Sequence, residues 1–256
     1  MVYLMIHLLI PDAHAQKGDK NDRAIWLGRL ICDLKPDTVV DLGDSADMPS
    51  LCSYDKGTKS FEGRRYKDDI NAYLDFQDKL WSTVRSSKKR LPKNRVRIIG
   101  NHEQRIERAI NIQPTLEGVI GYSDLQLDRY YTNVVGYVGG TPGTIELDGI
   151  LYAHYLTSGV AGRPISGEHL AYTLLTKKFQ SCTVGHNHTL DYCIRTNGRG
   201  EKIMGLCAGV FNERHMTWAG EMNKMWTRGV AIKRNVYNGV YDLEWVSYDR
   251  LRKEYL

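Results

Sequence analysis

Cysteine is scarce and shows no pairing pattern: Cys32, Cys52, Cys182, Cys193 and Cys207 are five in number, with no CxxC spacing among them. An odd count of this kind speaks against a disulfide scaffold and against a thiolate zinc site, and points to a reducing, cytoplasmic compartment. Long apolar runs are missing as well. The longest, Val2 to Ile10, is broken by His7, stops at Pro11 and is too short to cross a bilayer, so no membrane partner is expected. It has neither the basic start nor the small-residue cleavage site of a secretory signal. There is no repeat, no low-complexity tract and no linker, so residues 1–256 are expected to form a single domain. Nor is there a large excess of one charge: 35 Lys and Arg against 30 Asp and Glu leave +5, which permits a polyanionic partner without requiring one. A hydrophobic fraction of 42% with 25% charged residues excludes a disordered chain.

What is present falls into two textures. In the first half, strand and helix alternate. The apolar run Val2 to Ile10 predicts a buried strand. Asp22 to Leu34 predicts a helix with Ala24, Leu27, Ile31 and Leu34 on one face and Pro36 just beyond its end. A short strand over Thr38 to Leu42, a long helix over Arg65 to Arg85, a strand over Val96 to Ile99 and a helix from Glu103 to Ile110 follow. This order implies a mainly parallel sheet with right-handed crossovers. The second half is richer in hairpins: one around Asp148-Gly149, and another, Leu190 to Arg195 with Lys202 to Cys207, around Asn197-Gly198. A helix over Gly167 to Lys178, a brief strand over Cys182 to Val184 and a last strand over Val240 to Tyr248 complete it. Two sheets packed face to face with helices outside accommodate both halves. Two segments lack periodicity and read as insertions, one near 53–67 and one near 212–229.

Polar residues able to hold a metal sit where the predicted strands end. Asp12 and His14 follow the first strand, Asp44 and Asp47 the second, Asn101 and His102 the third; His154 follows Ile150 to Ala153, and His186 and His188 follow Cys182 to Val184. The carboxyl ends of parallel strands share one edge of a sheet, where sites form. Carboxylate, imidazole and amide oxygen favour a hard-to-borderline divalent metal over a thiolate-selected one. The spacing of two within Asp12/His14 and within His186/His188 would aim both members of each pair the same way if the chain were extended. Even seven of these side chains, leaving Asp47 and His102 aside, are too many for one tetrahedral ion and suit two ions about 3.5–4 Å apart.

Asp12-Ala13-His14, Gly43-Asp44-Ser45-Ala46-Asp47, Gly100-Asn101-His102-Glu103, His154 and Gly185-His186-Asn187-His188 together resemble the calcineurin-like metallophosphoesterases. In general texture the chain resembles stand-alone virus-encoded members. The resemblance implies an α/β fold: a four-layer α/β/β/α sandwich of two mixed sheets flanked by helices. It implies two divalent metal ions, manganese first, with iron, zinc or magnesium as the other options. Asp12, His14 and His188 would hold one ion, Asn101, His154 and His186 the other, and Asp44 would bridge them. His102 would be the catalytic histidine, and Asp47 would orient it. A hydroxide between the ions would attack phosphorus in line.

The chain departs from the protein-phosphatase branch, with Met48-Pro49 after Asp47 where that branch has Arg-Gly, and His154-Tyr155 where it has His-Gly. The second histidine of Gly185-His186-Asn187-His188 resembles phosphodiesterase, nuclease and small-molecule branches instead. The expected substrate is therefore a phosphodiester, in DNA, RNA or a nucleotide. Two alternatives remain open: a phosphomonoesterase acting on a small molecule or phosphoprotein, and a metal-bound protein that binds without turnover. The basic loop 53–67, with Arg64 and Arg65, reads either as a solvated face or as a phosphate contact. His215 lies in the Met/Trp-rich segment, where a substrate role is open. Trp218 and Trp226 read as packing or dimer contacts, with base stacking as the other option. His7 reads as a satisfied core histidine, His169 as a surface residue, and Asp41 as structural or as an acceptor for a ligating imidazole. The oligomeric state is open.

Overall fold

The structure, a computed structural model, describes residues 4–256. Its principal elements in chain order begin β1 (Met5–Ile10), α1 (Asp22–Leu34), β2 (Thr38–Asp41), α2 (Tyr66–Ser86), β3 (Asn94–Ile98), α3 (Arg105–Ile112) and β4 (Asn133–Val135). Val2 and Tyr3, which the apolar pattern assigns to the first strand, lie outside the described residues. Next come β5 (Thr144–Leu147), β6 (Ile150–Ala153), α4 (Leu170–Lys178), β7 (Cys182–Val184), β8 (Leu190–Thr196) and β9 (Lys202–Ala208). The chain closes with β10 (Gly229–Tyr237), β11 (Val240–Ser247) and α5 (Tyr248–Tyr255).

Two mixed sheets result. The six-stranded sheet runs β11-β10-β1-β2-β3-β4 and the five-stranded sheet β8-β9-β7-β6-β5. Strands β1 to β4 are parallel, as the alternating first half requires. In the second sheet β7 lies parallel between β6 and β9, with antiparallel β5 and β8 at the edges.

The layering follows from the period of two along each strand. Leu8, Ile10 and Val39 face α1, α2 and α5, meeting Leu27, Ile31, Phe76, Leu80, Trp81 and Leu251. Their neighbours Leu9 and Val40 point the other way, onto Ile150, Tyr152, Met204 and Leu206 of the second sheet. On the far side of that sheet, Cys182, Val184 and Cys207 meet Leu170, Leu174 and Leu175 of α4. Helix, sheet, sheet and helix therefore stack in four layers, with one principal helix outside the second sheet. A strand buried on both faces needs apolar residues at every position, which is why β1 and β2 read as unbroken apolar runs.

Four expectations need correction. The hairpin β10–β11 returns to the first sheet, with β10 antiparallel to β1, so the two sheets do not divide the chain into halves. Strand β10 gives no clear sequence signal because Lys233 and Arg234 interrupt it, yet Lys233 is fully buried. The last strand stops at Ser247, whose hydroxyl accepts the N–H of Arg250 and starts α5. Helix α4 starts at Leu170, since Gly167 has φ +135° and the three residues before Leu170 are exposed. Segment 53–67 holds two short 3₁₀ turns, Ser53–Asp55 and Lys59–Phe61, and segment 212–229 a 3₁₀ stretch, Thr217–Met225, kinked at Gly220, before β10 begins.

Candidate metal centre

The parallel strands deliver their carboxyl ends to one edge, and the loops leaving them turn at once. Asp12, His14, Asp44, His186 and His188 all have positive φ, between 38° and 68°. For residues other than glycine this conformation is strained, and such strain collects at functional sites. It also corrects the reasoning from spacing: neither pair is extended. Asp12 and His14 do converge, together with His188, but His186 parts from His188 and joins Asp44 and His154. The turns, rather than strand alternation, set these directions. Gly100 is needed for a similar reason, because a Cβ there would fall on the Asp44 carboxylate and backbone nitrogen.

Within the first group, His14 Nε2 stands 3.1 Å from His188 Nε2, which stands 3.4 Å from Asp12 Oδ1. Within the second, His154 Nε2 is 2.9 Å from Asn101 Oδ1 and 3.3 Å from Asp44 Oδ2. All are buried except Asn101 and His186, which are half-buried. The opposite ring nitrogens settle what these atoms are. His14 Nδ1–H donates to Asp47 Oδ1 at 2.9 Å, and His154 Nδ1–H donates to the Leu42 carbonyl at 2.9 Å. In the neutral ring each Nε2 is then a lone pair pointing at other acceptors. Such converging lone pairs repel unless a proton or a metal cation stands between them.

The electrostatics agree. Burial pulls down the pKa of His14, and takes His186 and His188 to about 3, so these imidazoles stay neutral ligands. Burial raises Asp12 to about 7, with the Asp44 charge adding to the rise. Burial also works against ionised Asp44, but His154 and His102 outweigh it and hold Asp44 well below the usual range. In His154 burial is likewise outweighed, and the Asp44 charge lifts the ring to about 9. The cluster draws positive charge, from a proton when nothing else supplies it. The donor set of carboxylates, imidazoles and an amide oxygen fits divalent cations.

Asp47 does more than the sequence suggests. Its backbone carbonyl accepts His102 Nδ1–H at 2.7 Å, and its carboxylate contacts the same nitrogen at 3.2 Å while holding His14. Asp41 meets no imidazole. It accepts Ser45 and Tyr131 hydroxyls at 2.7 Å and pairs with Arg97, so its role is structural.

Three residues with no sequence-assigned role prove central. Glu103, fully buried, accepts the backbone N–H groups of Asp44, Ala46 and Gly100 and pairs with Arg97. Arg97 lies buried beneath the site between Glu103 and Asp41. Arg105, in the first turn of α3, donates to the Asp47 and Met48 carbonyls and meets His102 Nε2 at 3.3 Å. The spacing of three from His102 was the available signal for Arg105.

A cavity of about 640 Å³ opens over Asn101, His102 and His186. Arg64, Arg65, His215 and Trp218 line it, but none belongs to a metal-binding group. Arg64 is spent on Asp55 at 2.6 Å and on the Pro49 carbonyl at 3.1 Å. Arg65 and His215 are exposed. Trp226 packs edge-on against His188, ring centroids 4.3 Å apart, whereas Trp218 is 62% exposed at the mouth. His7 is buried and hydrogen-bonded to Tyr152 and Asp148, and His169 is exposed.

No family model and no curated protein matches the chain. Among solved structures it is similar to a conserved uncharacterized protein from Streptococcus pneumoniae TIGR4, described as a predicted phosphoesterase. Identity is 12%, coverage is 96% of this chain and 100% of that one, and the TM-score is 0.35. A likeness that slight carries no argument about this chain, whose chemistry rests on its own side chains. Among the described residues no helix is long and apolar enough to cross a membrane.

Proposed function

We propose that this protein is a dinuclear metal-dependent phosphoester hydrolase, and that its substrate is a phosphodiester in nucleic acid or a nucleotide. The observation that carries the reading is the convergence of buried imidazole nitrogens and carboxylate oxygens from five loops, with the far ring nitrogens of His14 and His154 already held by Asp47 and the Leu42 carbonyl, at the foot of an open cavity. Asp12, His14 and His188 would hold one ion, and His154, His186 and Asn101 the other, with Asp44 between. Divalent cations bound there supply Lewis acidity toward phosphoryl oxygens and acidify a nucleophilic water.

The chain's own contribution is positioning. Its Nδ1 pinned to the Asp47 carbonyl, His102 turns Nε2 toward the site. Burial lowers the His102 pKa, but the Asp44 charge outweighs it and raises the ring above its ordinary value. A protonated His102 donates to the developing charge on the leaving oxygen. Asp47 locks His14 and His102 in one arrangement, and the Glu103 carboxylate fixes the backbone that presents Asp44.

The test is manganese-supported hydrolysis of bis-p-nitrophenyl phosphate against p-nitrophenyl phosphate, repeated with zinc, iron and magnesium. Diester preference is expected, and a strong monoester preference would overturn the diesterase assignment. One observation favours a second reading, a small phosphomonoester: the cavity wall mixes Asp55, Glu62, Asp68 and Asp69 with its arginines, which weakens steering of long polyanions. Salt decides between them, because an enzyme neutralising many backbone phosphates loses affinity steeply as salt rises.

A further inference from the structure

We infer that Arg105 is the cationic contact for a non-bridging phosphoryl oxygen of the substrate, in place of the loop arginines 64 and 65. This inference rests on the phosphoester reading of the site.

Arg105 is half-buried and lines both the main cavity and an adjoining one of about 220 Å³. Asn101 and His186 line both as well, so the guanidinium sits at the metal-ligand edge rather than out on the rim. A guanidinium has five N–H donors. The two of Nη1 go to the Asp47 carbonyl at 2.8 Å and the Met48 carbonyl at 3.1 Å. One of Nη2 faces His102 Nε2 at 3.3 Å, a bond open only while that nitrogen carries no proton. Among the described residues nothing takes the remaining hydrogen of Nη2 or the one on Nε.

The guanidinium also lacks a direct carboxylate partner, although Asp55 is near enough to feel its charge. Arg64 pairs with Asp55, Arg97 with Asp41 and Glu103, and Arg214 with Asp19, but no carboxylate is in ion-pair contact with Arg105 among the described residues. Arg65 has no such partner either, but it is exposed and screened by solvent. A half-buried cation with spare donors, clamped by two carbonyls and touching His102, is pre-organised for an anion at that point. Guanidinium suits a tetrahedral phosphoryl group because two of its N–H groups can reach two oxygens at once.

The experiment uses inorganic phosphate as the probe. Its affinity for the manganese-loaded protein is measured by calorimetry in wild type, Arg105→Ala, Arg105→Lys and Arg65→Ala, with metal content read by elemental analysis. Arg105→Ala is expected to keep its metal and weaken phosphate binding at least about tenfold, as loss of a charge-assisted hydrogen bond implies. Arg105→Lys should recover part of that loss, and Arg65→Ala should change little. Three results overturn the inference: phosphate affinity unchanged in Arg105→Ala, no phosphate binding by wild type, or weakening in Arg105→Ala that follows metal loss and persists undiminished in Arg105→Lys. A wild type that binds phosphate through Arg105 but hydrolyses no phosphoester leaves the inference standing and removes the proposed function.

Discussion

Asp44 stands between two imidazoles, with Oδ2 3.3 Å from His154 Nε2 and 3.8 Å from His102 Nε2, while Oδ1 accepts the His102 backbone N–H at 2.8 Å. Asp44→Asn halves the carboxylate character at the one position both ions would share, so metal occupancy should fall along with activity, measurable by elemental analysis. His102→Ala removes none of the seven side chains assigned to the ions, although its ring packs edge-on against His14, and should keep its metal while losing about 100- to 10,000-fold in turnover, the usual worth of a positioned acid. Equal activity in wild type and both variants would remove the enzyme reading. Glu103 belongs to the same residue scale but to stability. Its carboxylate answers three backbone donors and a buried guanidinium. Glu103→Gln turns one acceptor into a donor facing donors, and should cost about 3 kcal/mol in a urea melt. Glu103 was visible in its motif, but its work was not, because its partners are backbone groups that no residue type advertises.

Helices α1 and α2 show why an element can be legible while its packing is not. Their apolar faces are plain in the periodicity of Ala24, Leu27, Ile31 and of Ile70, Leu74, Trp81. Gly28, in the middle of α1, is a poor helix residue by propensity, and alanine would gain about 1 kcal/mol in an isolated helix. In the fold a Cβ there would come within 2.8 Å of Thr83 Cβ and 2.9 Å of the Leu80 carbonyl oxygen of α2. Backbone cannot yield as a side-chain tip can, so overpacking wins. Gly28→Ala should lower stability by about 1–2 kcal/mol, and a raised melting temperature would refute this account. Strand β10 is the opposite case. Its Lys233 donates to the Tyr152 hydroxyl at 3.3 Å and to the Thr183 hydroxyl, and its Nζ lies 4.2 Å from the Tyr241 ring centroid. A lysine at a fully buried position, where burial pushes its pKa well below the ordinary value, masks the strand pattern, and only the partner sheet supplies the reason for it.

At the scale of the whole molecule, the two sheets are joined by polar as well as apolar contacts. His7 of the first sheet hydrogen-bonds Tyr152 at 2.8 Å and Asp148 at 2.9 Å across the interface. Burial, then the nearby Lys233, lowers its pKa from 6.5 to about 4. In the unfolded chain His7 takes a proton near 6.5, which the folded protein refuses until about pH 4. The folded pKa is depressed, so the stability is present above 6.5 and is lost as pH falls toward 4. The full shift is worth about 3 kcal/mol. Urea midpoints followed from pH 7 to pH 4 should fall more steeply in wild type than in His7→Gln. Parallel slopes would show that His7 does not couple the sheets to pH.

The sequence by itself determined the class of fold and named the candidate ligands. Strand periodicity, turn dipeptides and the placing of Asp, His and Asn after strands are local properties, and local chemistry writes them directly. Tertiary structure alone decided three things. It sent the last hairpin back to the first sheet, because hydrogen bonding between distant strands leaves no mark on either one. It supplied the physical reason that His186 and His188 part, which the family resemblance had only implied: positive φ at both turned neighbours in sequence toward different groups. And it set Arg105 against His102 with donors to spare while pairing Arg64 with Asp55, because which cations lack a direct carboxylate partner depends on what folds beside them.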